Sequence, residues 1–269
     1  MAKKKKPIPV DKKIEKLIEI YKEAEKNLID IIVRKKVKGN STRFYTEMLK
    51  QVQQEILRLK IFNTQWATDI TKQLYIQAYE EQLKMLNIDD YSFTSLHKEA
   101  VELITNNMIN NLNNAIDVVG RRTEDSIREI GLSSAVDKFA TGYTIKQQQE
   151  KLKKELLDKN ITCIKDKLGR NISIKSYASM VARSVVAETQ NTCIKNLAKE
   201  YNHDLVKMSH HATSCHICSP YEGKIYSISG KNNKYPALNT VPGFKNGYNN
   251  IHPNCRHRLS IIVEKYNDL

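Results

Sequence analysis

Cys215-His-Ile-Cys218 and His252-Pro-Asn-Cys255-Arg256-His257 are two short stretches separated by 33 residues. A two-residue spacer lets both side chains of a pair face one ion while backbone amides turn toward the sulfurs. A C-x2-C pair and an H-x2-C pair therefore supply four donors to one tetrahedral ion, and zinc is the ion such donors select. The expected ligands are Cys215, Cys218, His252 and Cys255, with His257 and His211 as alternates for the fourth position. Four protein donors make the site closed and structural, not catalytic. A disulfide is disfavoured by the odd count of five Cys and by the absence of a signal-peptide pattern. The other two, Cys163 and Cys193, stand alone and read as small buried apolar residues.

The segment between the two pairs is rich in Asn, Gly and Pro. Little in it reads as core, so the ion is expected to hold it in place of one. Around the pairs the pattern is short. Asp204–Ser209, Gly223–Ser229 and Leu259–Val263 suit strands. Upstream the character changes. Pro occurs at 7, 9, 220, 236, 242 and 253 and nowhere between. Pro is excluded from helix interiors by its missing donor and its ring, so residues 10–202 read as helical. Ile14, Leu17, Ile18, Tyr21, Leu28, Ile31 and Ile32 share one face. After a break at Gly39-Asn40-Ser41 the stripe Tyr45, Met48, Val52, Ile56, Leu59, Trp66, Ile70, Leu74, Ala78 runs on without Gly or Pro. A third helix is expected over Thr94–Val119 with Leu96, Val101, Ile104, Met108 and Leu112 inward, then a short charged piece over Arg121–Ile130. Thr144 suits the N-cap of a helix to Asp158, and Ser176–Tyr201 forms the last long helix. The fold class is mainly α with a small C-terminal α+β zinc-binding module and an elongated N-terminal helical region. The expected division is a basic disordered tail (1–10), a helical domain (11–172) and a C-terminal module (173–269).

The 269 residues carry 44 Lys+Arg against 30 Asp+Glu, a net charge of +14. Residues 1–60 hold 17 basic and 8 acidic side chains, and residues 203–269 hold 8 and 4. Lys3, Lys4, Lys5 and Lys6 read as a phosphate-seeking tail that binds DNA without regard to sequence. Lys12 to Lys60 read as solvated helix faces. No apolar run approaches the roughly 20 residues of a membrane span.

Five ordered blocks carry a resemblance. They are Tyr177-Ala-Ser-Met-Val-Ala-Arg183-Ser-Val-Val-Ala-Glu188-Thr, Asp204-Leu-Val, Cys218-Ser-Pro-Tyr221-Glu-Gly223-Lys-Ile-Tyr226-Ser-Ile-Ser-Gly230, Tyr235-Pro236-Ala-Leu and His252-Pro-Asn-Cys255-Arg256-His257. Over about residues 173–263 the chain resembles the C-terminal module of tailed-phage minor capsid proteins, within the wider Mu F-like head morphogenesis group. Members of that group often end the last block in Cys-Arg-Cys, where this chain has Cys255-Arg256-His257. The resemblance implies a virion component made in the bacterial cytoplasm. It implies association with the portal and other capsid proteins, contact with packaged DNA, and a role in head assembly or genome delivery. Self-association is compatible with it.

Two other functional classes fit the residues less well. A zinc-stabilised nuclease could use His210, His211 or His257 as base, but only Asp204, Glu222 and Glu264 are acidic near the cluster, where magnesium-assisted cleavage wants carboxylates together. No Walker A, G-x-S-x-G or H-E-x-x-H motif occurs. A sequence-reading DNA-binding protein would need a basic recognition helix after the second pair, and none follows. Arg183 and Glu188 are five apart and do not share a helix face. They read as structural polar contacts, not catalytic residues, and no catalytic residue is expected.

Overall fold

The computed structural model describes residues 10–38, 42–89, 92–133, 145–166, 168–212 and 215–263. Lys3–Lys6, the Gly39-Asn40-Ser41 break and Thr144 lie outside them. The long helices are α1 (Val10–Lys38), α2 (Thr42–Met85), α3 (Ser95–Ser133), α4 (Ile145–Asp158) and α5 (Ile174–Glu200). The chain divides into two compact units, one of Met1–Trp66 with Ile109–Ser179 and one of Ala67–Met108 with Met180–Leu269.

In the first unit, the apolar stripes meet as their spacing requires. Leu17, Tyr21, Leu28 and Ile32 of α1 are buried, as are Met48, Val52 and Leu59 of α2 and Leu112, Ile116 and Val119 of α3. A polar ladder crosses this core. Tyr21 OH donates to Asn63 Oδ1 at 3.0 Å, and Asn63 Nδ2 donates to Asn113 Oδ1 at 3.0 Å. Such a ladder fixes register, because a shifted helix would leave buried amides unpaired. Cys163 sits half-buried in β1 (Cys163–Lys165), which pairs antiparallel with β2 (Asn171–Ser173). This hairpin has no counterpart among the expected elements.

Two expectations for α3 are corrected. The helix does not stop at Val119 and restart at Arg121; it runs unbroken to Ser133. Gly120 packs beneath Ile56, where an added Cβ would lie 3.2 Å from that side chain. Close approach offsets the roughly 1 kcal/mol that Gly costs inside a helix. Leu96 is exposed, and its neighbour His97 turns inward instead.

The second unit is built on a three-stranded antiparallel sheet, ordered β4 (Ile225–Ser227), β3 (Leu205–Met208), β5 (Leu259–Ile261). Each lies inside an expected strand. Val206 pairs with Tyr226 on one side and Ile261 on the other. Beside the sheet lie Tyr75, Tyr79 and Leu83 of α2 and Cys193, Ile194 and Leu197 of α5, all buried in one apolar cluster. His97 is fully buried. Asn196 Nδ2 donates to Tyr75 OH, Tyr75 OH lies 2.8 Å from His97 Nδ1, and His97 Nε2 lies 2.8 Å from Glu200. The Glu200 carboxylate only accepts, so the Nε2–H of His97 goes to it.

The segment between the two Cys/His pairs is not coreless. Leu238, Val241 and Phe244 (the last in the short helix α6, Pro242–Lys245) and Ile251 all enter the same cluster. Their spacing follows neither helix nor strand period, which is why their burial is not evident from the sequence. Among the described residues no helix is long and apolar enough to cross a membrane.

Candidate metal centre

Each pair is a tight turn. In the first, the N–H groups of Cys218 and Ser219 both donate to Cys215 O, at 3.1 and 2.9 Å. A 3-10 turn, Ser219–Tyr221, then carries the chain away, with Pro220 at its start. In the second, Cys255 N donates to His252 O at 3.1 Å. Asn254 takes φ 65°, a left-handed conformation that Asn tolerates better than most residues.

The fold brings the two turns together. Cys218 Sγ lies 3.7 Å from Cys255 Sγ, 2.7 Å from His252 Nε2, and His252 Nε2 lies 3.4 Å from Cys215 Sγ. The two sulfurs are too far apart for a disulfide, which needs about 2.05 Å, and all five Cys are free. His257 joins from the other side, with Nδ1 3.3 Å from Cys255 Sγ. The donors thus form two triads, Cys215–Cys218–His252 and Cys218–Cys255–His257, each with its atoms within 4.8 Å of one another. The triads share Cys218, and thiols with imidazoles so grouped suit a borderline-soft ion such as zinc. No carboxylate belongs to either triad.

The local electrostatics follow from placement. Backbone N–H groups of Cys218 and Ile217 hold the Cys215 thiol below its ordinary range. Burial, with Cys255 beside it, pushes the Cys218 thiol up. His211 does not enter the cluster. Its Nε2 lies 2.8 Å from Ser209 Oγ, and its ring meets that of His257 edge-on at 4.9 Å. Burial first, then His257, depresses its pKa.

Helix α5 supplies the wall. Ser184 O accepts from Asn250 Nδ2 at 3.4 Å, and Ser184 Oγ accepts from Asn254 N at 3.2 Å. Asn191 Nδ2 donates to Asn249 O and His257 O, and Lys195 Nζ donates to Asn249 Oδ1 at 2.6 Å. Ser184, Asn191 and Lys195 follow helical spacing, so one polar face grips the second turn from behind. Arg183 and Glu188 are not joined by an ion pair among the described residues. Among the described residues Arg183 Nε is buried without a hydrogen-bond partner, and burial lifts the Glu188 carboxyl to about 7.

Sequence reasoning passed over two residues here. Glu222 was weighed only as a magnesium ligand, yet its Oε1 lies 2.7 Å from His257 Nε2 and accepts from His211 N at 3.1 Å. Asn191 carried no signal beyond its place seven residues after Ser184.

No curated protein and no solved structure matches the chain. The model of one family, phage minor capsid protein 2, matches residues 6–269, nearly the whole length. The long helices, the small sheet and the paired Cys/His turns therefore belong to one family unit, and the chain is a member of the phage minor capsid protein 2 family, with a structural place in the phage head.

Proposed function

We propose that the chain acts as a non-catalytic head protein that meets the portal and the packaged DNA. In this reading residues 173–269 form its docking module. One zinc ion ties the two Cys/His turns through Cys215, Cys218, Cys255 and one histidine, either His252 or His257. The ion supplies no reaction. When bound, it neutralises the thiolates and adds folding free energy to a loop-rich region. The chain's own residues do the positioning: α5 holds the second turn and the sheet holds the exits from both.

The observation that carries this reading is the approach of Cys218 to Cys255, 3.7 Å across a separation of 37 residues, within a capsid family. The basic excess suits a compartment filled with phosphate, and Lys3–Lys6 are the first candidates for sequence-blind DNA contact. The test is location. Mass spectrometry of purified particles should find the chain, and density at the portal vertex should account for it. Particles that lack the chain, or that carry it only away from that vertex, contradict the proposal. Incubation with DNA and divalent metal should leave the DNA intact; cleavage lost on His211→Ala and His257→Ala would turn the reading to a nuclease.

A further inference from the structure

We propose that Glu222 makes His257, and not His252, the fourth ligand of the ion; this rests on the metal reading above. The two triads share Cys218 and together offer five donors, where a tetrahedral ion takes four. The three thiols account for three positions, so the two imidazoles compete for one.

Their surroundings differ. His257 is 4% exposed, and the Glu222 side chain is 6% exposed. A carboxylate only accepts, so the Nε2 hydrogen of His257 points to Glu222 at 2.7 Å. The Nδ1 lone pair is then left facing Cys255 Sγ at 3.3 Å. A buried carboxylate on the far nitrogen fixes tautomer and ring orientation and raises ligand basicity, the arrangement that ligating histidines characteristically show. Glu222 is itself fixed, since it accepts from His211 N and begins where the 3-10 turn of the first pair ends. It therefore reaches from the chain leaving the first turn to the imidazole that follows the second. His252 has a partner of another kind. Its Nε2 faces Cys218 Sγ at 2.7 Å and Cys215 Sγ at 3.4 Å, and its Nδ1 meets the carbonyl of the adjacent Pro253. That carbonyl is a neutral group on the same turn and the ring is half-exposed, where His257 has a buried carboxylate reaching from the first turn, so His252 is the replaceable fifth donor.

The experiment uses the full chain labelled with 15N-histidine and loaded with 113Cd2+. Scalar coupling between cadmium and nitrogen is read by long-range proton–nitrogen correlation. Coupling is expected at Nδ1 of His257 and not at Nε2 of His252. In competition with a chromogenic chelator, Glu222→Gln should weaken zinc binding about 10- to 100-fold, and His252→Ala should weaken it less. Cadmium coupling at His252 Nε2, alone or beside His257, overturns the proposal, as does unaltered zinc affinity in Glu222→Gln. Failure of the wild-type chain to take up either metal overturns the metal reading itself, a different outcome from coupling at the wrong ring.

Discussion

Asn191, in the middle of α5, accepts the main-chain N–H of Leu259 at 2.8 Å, at the first residue of β5. The same amide donates to the carbonyls of Asn249 and His257. One side chain thus ties a helix to the loop before the second Cys/His turn, to the turn's exit and to the strand that follows. Asn191→Ala should cost about 3 kcal/mol, because three main-chain groups lose their partner at once. Urea denaturation of the intact chain reads the loss. A cost below about 1 kcal/mol would mean that water replaces the amide.

Gly243, the second residue of α6, lies against the backbone of Asn250. A Cβ at this position would lie 1.5 Å from Asn250 O, a distance that main chain cannot relieve without moving. Gly243→Ala should therefore displace the segment that buries Val241, Phe244 and Ile251. New protease cuts between residues 236 and 252 are the expected result, with helical circular dichroism little changed. A variant as resistant as the wild type would contradict the close approach.

Glu188 gives a pH dependence with a defined sign. Burial raises its folded pKa to about 7 from 4.5, so the folded state keeps a proton that the unfolded chain releases. That contribution is fully present below pH 4.5 and is lost as pH rises through 7. Glu188→Gln removes the loss. The variant should melt higher than the wild type at pH 8 and at the same temperature at pH 4. A variant less stable at pH 8 would show that the carboxylate has a cationic partner in solution.

The N-terminal lysines carry the DNA part of the proposal. Each phosphate contact contributes about 0.9 to the slope of log affinity against log salt. Replacing Lys3–Lys6 by Ala should flatten that slope by about 3 to 4, equally for unrelated DNA sequences. An unchanged slope would place the phosphate contacts elsewhere.

Much of this architecture is legible in the residues, for physical reasons. Forty-four residues without Gly or Pro, striped from Tyr45 to Ala78, have few alternatives to the helix α2. The β-branched, apolar run Leu259–Val263 suits a strand. The Cys/His spacing marks each pair in the sequence, because a two-residue spacer constrains local geometry whatever the fold. What is hidden depends on distant partners. Gly120 reads as a break until Ile56 is seen above it. Leu238, Val241 and Phe244 look like loop residues because no period connects them. His97 looks like a surface residue until Tyr75 and Glu200 close around it. Glu222 shows its part only when the fold sets it against His257, 35 residues away in sequence.

One ion tying the two Cys/His turns should stay with the chain through purification. Elemental analysis of the freshly purified, reduced full chain, alone and as Cys218→Ser, reads this outright. About one zinc per wild-type chain and none in the variant is expected, with helical content retained and residues 209–258 newly open to protease. Wild-type protein that holds no zinc, and whose protease pattern is the same with and without chelator, would contradict it.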